Sequence, residues 1–408
     1  MDAYDLVIVG GGLVGGSLAC ALGQTGLHIC VVEAVALDAA YQPGYDERVI
    51  ALSWGSRRIL EGIGLWSEVA PEAAPIHRIH VSDRGHFGFT RLDCRQEGVE
   101  ALGYVVPARL LGRAIRKGLT GVDLLCPARL VGLRVDSRWA SLDIATEGGT
   151  RVVRGRLLVA ADGGDSGVRK HLGLVVRQRR YGHDAVITTV AADRPQPGVA
   201  FERFTDTGPL AMLPMTGGRY SVVWTVREGK SAEILGLPDS ELLDRLQARF
   251  GYRLGRFSPA GRRAAYPLKL LLTKETVRPR VVLIGNAAHT LHPVAGQGLN
   301  LGLRDVAAAA DVLADARRER RDPGQSEVLE GYRRLRGRDQ AGMAAITDTL
   351  ARLFVNPWPP VRVARDLGML GLDLAPGFRH VVARHLMGLD ASQPRLARGL
   401  PLVAGHDR

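Results

Sequence analysis

Lysine is scarce in this chain: five of its 54 cationic residues are Lys (Lys117, Lys170, Lys230, Lys269, Lys274), leaving 49 Arg against 42 acids and a formal charge of +12. Aromatics are few as well, at 5%, and no zinc-finger or RRM-type pattern occurs, which argues against nucleic acid as the partner of that charge. Two readings of the excess stand: the Arg-over-Lys codon bias of a GC-rich genome, and attraction to an anionic membrane face or a phosphorylated cofactor. Only four cysteines are present (Cys20, Cys30, Cys94, Cys126), with no CxxC pair and no metal-ligand spacing, so no metal is expected. Cys20 and Cys30 lie in apolar sequence, where free buried thiols are expected; this points to a reducing compartment, most simply the cytoplasm. No apolar run approaches the roughly 18 residues of a membrane-spanning helix. The first residues carry Asp2 and Asp5, acidic where a secretory or mitochondrial signal is basic. No GxSxG, HExxH or P-loop is found, which removes the common nucleophilic, zinc-hydrolase and phosphate-loop chemistries. At 46% hydrophobic and 24% charged, the 408 residues have the balance of a soluble globular protein of two or three domains.

What is present begins at once. Residues 5–9 (Asp-Leu-Val-Ile-Val) form a short continuous apolar run, as in a strand buried on both faces of a parallel sheet. The glycine-rich run Gly10 to Gly16 follows, then a helical stretch from Ser17 to Thr25 ended by Gly26, then a second strand, His28 to Glu33. In this βαβ unit Gly10-x-Gly12-x-x-Gly15 has a physical reading. Gly10 permits a tight turn, Gly12 lets backbone approach a pyrophosphate, and Gly15 lets helix and strand pack closely. The helix N-terminus offers N–H groups to the phosphates, Leu13 and Val14 in the loop are further cofactor-binding candidates, and Glu33 can accept from a ribose diol. The motif alone does not separate NAD from FAD. No second GxGxxG exists for a resident nicotinamide domain, so such a donor binds transiently.

Farther on, residues 76–100 pattern as an antiparallel hairpin and 109–119 as a helix. Three strand-like runs lead to Ala161, and 182–265 carry period-two segments and turns of a separate antiparallel sheet. Val281 to Ile284 reads as a buried strand, Leu299 to Arg317 as a long helix, and 325–395 as mostly helical with a break at 356–360. Arg317 to Arg321 is a charge run expected on a solvated helix end.

Two further segments decide the cofactor. Asp162-Gly163-Gly164-Asp165-Ser166-Gly167-Val168-Arg169 follows the apolar run ending at Ala161. Gly285-Asn286-Ala287-Ala288-His289 continues through His292-Pro293-Val294-Ala295-Gly296-Gln297-Gly298-Leu299-Asn300 to Leu303-Arg304-Asp305. With the opening fingerprint these resemble the three signatures of single-component flavoprotein aromatic hydroxylases built like p-hydroxybenzoate hydroxylase. Asp46 to Ser53, Ile63 to Trp66, Gly208 to Pro214 and Ile284 to Asp305 narrow the likeness to ubiquinone-biosynthesis hydroxylases, within them nearest to the 2-octaprenyl-6-methoxyphenol hydroxylases. It spans about residues 4–350. Gly285-Asn286 stands where Gly-Asp is usual; Asn keeps a hydrogen bond to a ribose hydroxyl and loses the charge.

The resemblance implies a doubly wound α/β FAD-binding (Rossmann-like) domain, discontinuous over 1–75, 101–175 and 273–345. An antiparallel substrate sheet would cover 76–100 and 176–272, and a helical segment 346–408. It implies that Asp162 and Gly163 lie near FAD, that Gly285 and Asn286 reach its ribose, and that Pro293, Gly296, Gly298, Leu299 and Asn300 meet the flavin ring. Arg48 and Arg109 are candidate cofactor contacts, each with a plain surface Arg as the alternative. His289, His292 and Pro293 are the candidate catalytic group, with structural histidines as the rival reading. The implied chemistry uses O₂, an NAD(P)H or other external donor and a flavin C4a-hydroperoxide to hydroxylate a polyprenylated phenol. Hydroxylation of a soluble aromatic and a non-catalytic flavin-bearing scaffold are the alternatives. A halogenase is disfavoured because no two Trp stand two positions apart. Leu350 to Leu386 mixes Leu353, Phe354, Val355, Trp358, Val361, Leu367, Met369 and Leu370 with Arg352, Arg362, Arg365, Arg379 and Arg384. Such a segment either packs on the core or lies in a membrane interface, so peripheral association with the inner membrane face, directly or through a biosynthetic complex, is expected.

Overall fold

The computed structural model describes residues 2–36, 48–259, 261–293, 296–355, 358–389 and 393–402. Its first sheet has eight strands. Five run parallel in the order β19 (Val281–Leu283), β11 (Gly149–Ala160), β1 (Asp2–Val9), β2 (Ile29–Val32), β8 (Asp123–Leu125). The short β18 (Val277–Arg278) pairs antiparallel with β19, and the hairpin β9 (Arg129–Val135)–β10 (Ala140–Thr146) extends β11. Alternation along β1 explains the continuous apolar run. Leu6 and Ile8 pack under helices Leu13–Leu22, Ala108–Gly118 and Gln297–Arg318, while Val7 and Val9 pack against the β9–β10 side. The parallel strands all end at one edge, at Val9, Val32, Leu125, Ala160 and Leu283. That edge is where α/β sheets bind ligands.

A second sheet of nine strands has the order β20 (His289–Thr290), β17 (Ala264–Thr273), β12 (Val176–Ala192), β15 (Arg219–Arg227), β14 (Gly208–Pro214), β13 (Val199–Thr205), β5 (Arg78–Asp83), β6 (Phe89–Asp93). β16 (Phe257–Pro259) adds to β12. One face buries Phe201, Leu210, Met212, Tyr220, Val222 and Trp224 against helix Asp239–Phe250. A third sheet joins β3 (Val49–Ser53), β7 (Gly103–Pro107) and β4 (Ala74–Ile76). At the C-terminal end, helix Ser326–Val355 packs on Gln297–Arg318, followed by helices Pro359–Leu374 and Pro376–Met387. Among the described residues no helix is long and apolar enough to cross a membrane.

Two sequence expectations need correction. The first helix starts at Leu13, not Ser17, because its N-terminal turn is built from the glycine run itself. Four strands, not three, lead to Ala160, since 123–125 forms the edge of the parallel sheet.

Candidate cofactor and active site

β1 enters the loop at Gly10, whose φ of 101° lies where side-chain-bearing residues are strained, and a Cβ there would stand 2.5 Å from the Ala161 carbonyl oxygen. A Cβ on Gly15 would collide with the Gly10 carbonyl. Around Gly12, the N-cap, there is open space, and no side chain caps the helix that follows. Leu13 and Val14 therefore begin a helix whose first N–H groups and partial positive charge face the open side of the glycine cradle. Glu33 closes one side: its Oε2 accepts from Gly11 N–H at 2.7 Å and its Oε1 from Val35 N–H at 2.8 Å. Each oxygen keeps a lone pair for a ribose hydroxyl.

The segment after β11 makes the opposite wall. Asp162 Oδ2 accepts from Val168 N–H at 3.1 Å, while Asp162 Oδ1 is buried without a partner among the described residues. An orphaned buried acceptor costs about 1–3 kcal/mol, so this atom awaits a donor. Space is open at Gly163, where φ is 82°. Buried Arg169 donates to Ala287 O at 3.0 Å and Gly164 O at 2.6 Å, which clamps this loop onto the turn after β19. In that turn Gly285 packs on Val14, and Asn286 is exposed.

Under the turn lies a network centred on Asp305, the last residue of the flavin-side motif. Asp305, fully buried, accepts from Gly285 N–H at 3.0 Å, His289 Nε2 at 2.6 Å, Arg336 Nε at 2.8 Å and Gln340 Nε2 at 2.8 Å. Burial alone would raise its carboxyl; the charges of His289 and Arg336 outweigh that and hold it well below the carboxylate range. His292 is buried edge-on against Tyr181, with centroids 4.9 Å apart, and burial pushes its imidazole down to about 4. It is therefore neutral near pH 7.

Helix Gln297–Arg318 starts from Gly296 in the left-handed region (φ 61°), which approaches Ala51 of β3. Space is open at Gly298, Pro293 is exposed, and Leu299 packs on the core. Asn300 departs from expectation. Its side chain is spent on the frame, accepting from Ser53 N–H at 2.8 Å and donating to Ala51 O at 2.9 Å and Gly296 O at 2.7 Å. It ties β3 to the helix start, so any cofactor contact is left to its backbone. Arg48 leads into β3 and stacks over Tyr266 at 4.8 Å. Arg109 follows Ala108, whose N–H donates to the Arg48 carbonyl at 2.8 Å, and its half-exposed side chain pairs with Glu72 at 3.2 Å. Asp46, Glu47, Val294 and Ala295 lie outside the described residues. No metal-ligating group of three or more His, Cys, Asp or Glu occurs among the described residues, and the four cysteines are free.

An uncapped helix end beside a glycine cradle, acceptors at Glu33 and an unpaired Asp162 oxygen, and a second open helix start at Gly296 to Gly298 fit a long dinucleotide ending in a ring system. Together with the three-sheet fold they define an FAD-dependent monooxygenase. A family model described as FAD binding domain matches residues 3–345, and the chain belongs to that family. It is 43% identical over 404 residues to ubiquinone hydroxylase UbiL of Rhodospirillum rubrum, covering 98% of this chain and 93% of that protein. It is 32% identical to the 3-demethoxyubiquinol 3-hydroxylase of Escherichia coli, covering 94% and 98%. The solved structure of p-nitrophenol 4-monooxygenase PnpA from Pseudomonas putida shares the fold, with a TM-score of 0.77 at 19% identity, covering 95% of this chain and 99% of that one.

Proposed function

We propose that this protein hydroxylates a polyprenylated phenol on the way to ubiquinone, using FAD, O₂ and a transient NAD(P)H or other external donor. The observation that carries this reading is the 43% identity, spread over 98% of the chain, to a protein named ubiquinone hydroxylase. FAD, when bound, supplies the centre that passes electrons from the donor to O₂. The chain supplies the rest. The N–H groups from Leu13 to Gly15 hold the pyrophosphate, and Glu33, Asp162 and Asn286 take hydroxyl groups. The backbone from Gly296 to Leu299 meets the ring, where helix N-terminal amides stabilise negative charge. His289, tied to Asp305, and His292, neutral and packed on Tyr181, position the flavin-side segment rather than transfer protons. In this reading the parts 1–75, 101–175 and 273–345 bind FAD, the sheet of 76–100 and 176–272 receives the phenol, and 346–408 forms the helical segment.

A polyprenyl tail partitions into lipid, and the C-terminal helices offer a face to it. Trp358, Val363, Leu367, Leu374, Phe378 and Val381 are exposed, and between Trp358 and Val381 no charged residue is among the exposed ones. Arg365 and Met369 instead turn inward, Arg365 pairing with Asp83. Arg352 and Arg384 are exposed at the margins, and the side chains of Phe354 and Val355 lie outside the described set. Apolar residues with a basic fringe support peripheral contact with an anionic bilayer. Deleting the gene and profiling quinone intermediates by mass spectrometry tests the function: a phenol lacking one hydroxyl should accumulate, and an unchanged profile overturns the reading.

A further inference from the structure

The face of the nine-stranded sheet opposite helix Asp239–Phe250 carries a row of partly exposed residues. Register places Val81, Glu202, Ala211, Val223, Ile187 and Ala264 side by side on β5, β13, β14, β15, β12 and β17. All are partly exposed. Of them only Val81 packs against a core cluster, at the Phe204 end. The neighbouring positions on β13 are packed: Ala200 with Ala74, Ile76 and Val105 on one side, Phe204 with Met369 on the other. The row is therefore the floor of a groove beside helix Ser326–Val355, which contacts β13 and β14, and that floor is apolar except for one carboxylate. Next to Ala264 on the same face of β17 stands Tyr266, over which Arg48 stacks at 4.8 Å. Arg48 leads into β3, which Asn300 fastens to the helix start at Gly296. The groove thus opens toward the ring end of the cofactor site.

Glu202 has no hydrogen bond or ion pair among the described residues. The charged groups on the elements around this face are committed elsewhere: Asp83 pairs with Arg365, Asp366 lies by His86, Arg48 stacks on Tyr266, and Asp348 of helix Ser326–Val355 pairs with Arg179 and Arg352. Arg203 points to the other face, toward the Phe250 carbonyl.

Resting on the function proposed above, we propose that Glu202 is a catalytic residue that accepts the proton of the substrate's phenol hydroxyl. The phenol O–H bond breaks, the proton moves to a carboxylate oxygen, and the electron pair stays on the phenol oxygen, enriching the ring for oxygen attack. The proton then leaves to solvent. The apolar neighbours strip water from the Glu202 carboxylate and raise it to about 7, which narrows the gap to a phenol near 10 from about six units to about three. Because only the ionised carboxylate accepts a proton, activity rises with pH through about 7.

The test uses the FAD-loaded protein and 2-farnesylphenol, comparing wild type with Glu202→Gln, whose FAD absorbance reports an intact fold. Wild-type kcat/KM for the hydroxylated product should climb through about pH 7. The variant should lose this limb and fall by about 10²-fold or more. Difference absorbance on the oxidised protein with 2-farnesyl-4-nitrophenol, an analogue acidic enough to give up its proton to this carboxylate, needs no turnover and should reveal bound phenolate with wild type and bound phenol with the variant. A variant with the wild-type pH limb, rate and bound phenolate overturns the assignment. Wild type that ionises the bound nitrophenol but never hydroxylates 2-farnesylphenol overturns the proposed function and leaves the assignment standing.

Discussion

Replacing Asp305 by Asn keeps the shape of the most enclosed carboxylate near the cofactor site and changes its hydrogen-bonding sense. One carboxylate oxygen accepts from Gly285 and His289, the other from Arg336 and Gln340. Both sides face donors, so whichever way the amide is turned its NH₂ meets two N–H groups. The buried Arg336 also loses a counter-charge, although Asp339 remains paired with it. Breaking a buried pair costs about 3–5 kcal/mol, and the remaining partner argues for the lower end, about 3. Unfolding entropy of about 2.1 cal/mol/K per residue gives roughly 0.9 kcal/mol/K for a chain of this size, so the melting temperature should fall by about 3 °C. The loss should depend on pH in a definite sense. The Asp305 carboxyl is held low in the folded protein, so its stabilisation is present above the unfolded value near 4 and is lost as pH falls below it. Melts followed by FAD fluorescence should therefore separate wild type and variant fully at pH 6–8 and progressively less below about pH 4. FAD occupancy should drop as well, because Gly285 and His289 lose their anchor. A variant that melts with wild type at pH 7 and keeps its FAD would refute this account of the network.

Three other outcomes follow from the geometry. Gly12→Asp fills the open space at the helix start with a negative charge, and the purified variant should be colourless; normal FAD occupancy would move the phosphate site elsewhere. Asn286→Leu should weaken FAD by about 1–3 kcal/mol while Asn286→Asp retains it, measured by titration of the apoprotein; equal affinity of the Leu variant and wild type removes Asn286 from the site. Leu367→Asp with Phe378→Asp should abolish flotation on anionic liposomes at low salt without changing FAD content, and flotation equal to wild type would clear those helices of the role.

The glycine cradle after β1 was legible because its physics is local. A tight turn, a close helix–strand contact and an uncapped helix end each demand glycine at a fixed spacing, and Gly10, Gly12 and Gly15 stand where the fold uses them. Asn300 was less legible: its place in the flavin-side run says nothing of β3, some 250 positions earlier, which takes up its side chain. Arg109 likewise carries no sign of Glu72, 37 positions earlier, with which it pairs. Asp305 was on the page within the motif, but its weight comes from Arg336 and Gln340 on the next helix, whose spacing carries no pattern. Glu202 gave no signal at all, since a lone Glu in an alternating strand reads as a solvent-facing residue until sheet register sets it among Ala211, Val223 and Ile187. The C-terminal segment was legible as mixed apolar and basic, yet periodicity alone does not tell which face turns outward.

The central claim is that one atom of O₂ reaches a polyprenylated phenol on this protein. Incubating the FAD-loaded protein with NAD(P)H, ¹⁸O₂ and 2-farnesylphenol, followed by mass spectrometry of the extracted lipid, tests it directly. A product carrying a single ¹⁸O hydroxyl on the ring is the expected result. Oxidation of the donor that yields only hydrogen peroxide, with the phenol recovered unlabelled, would contradict it.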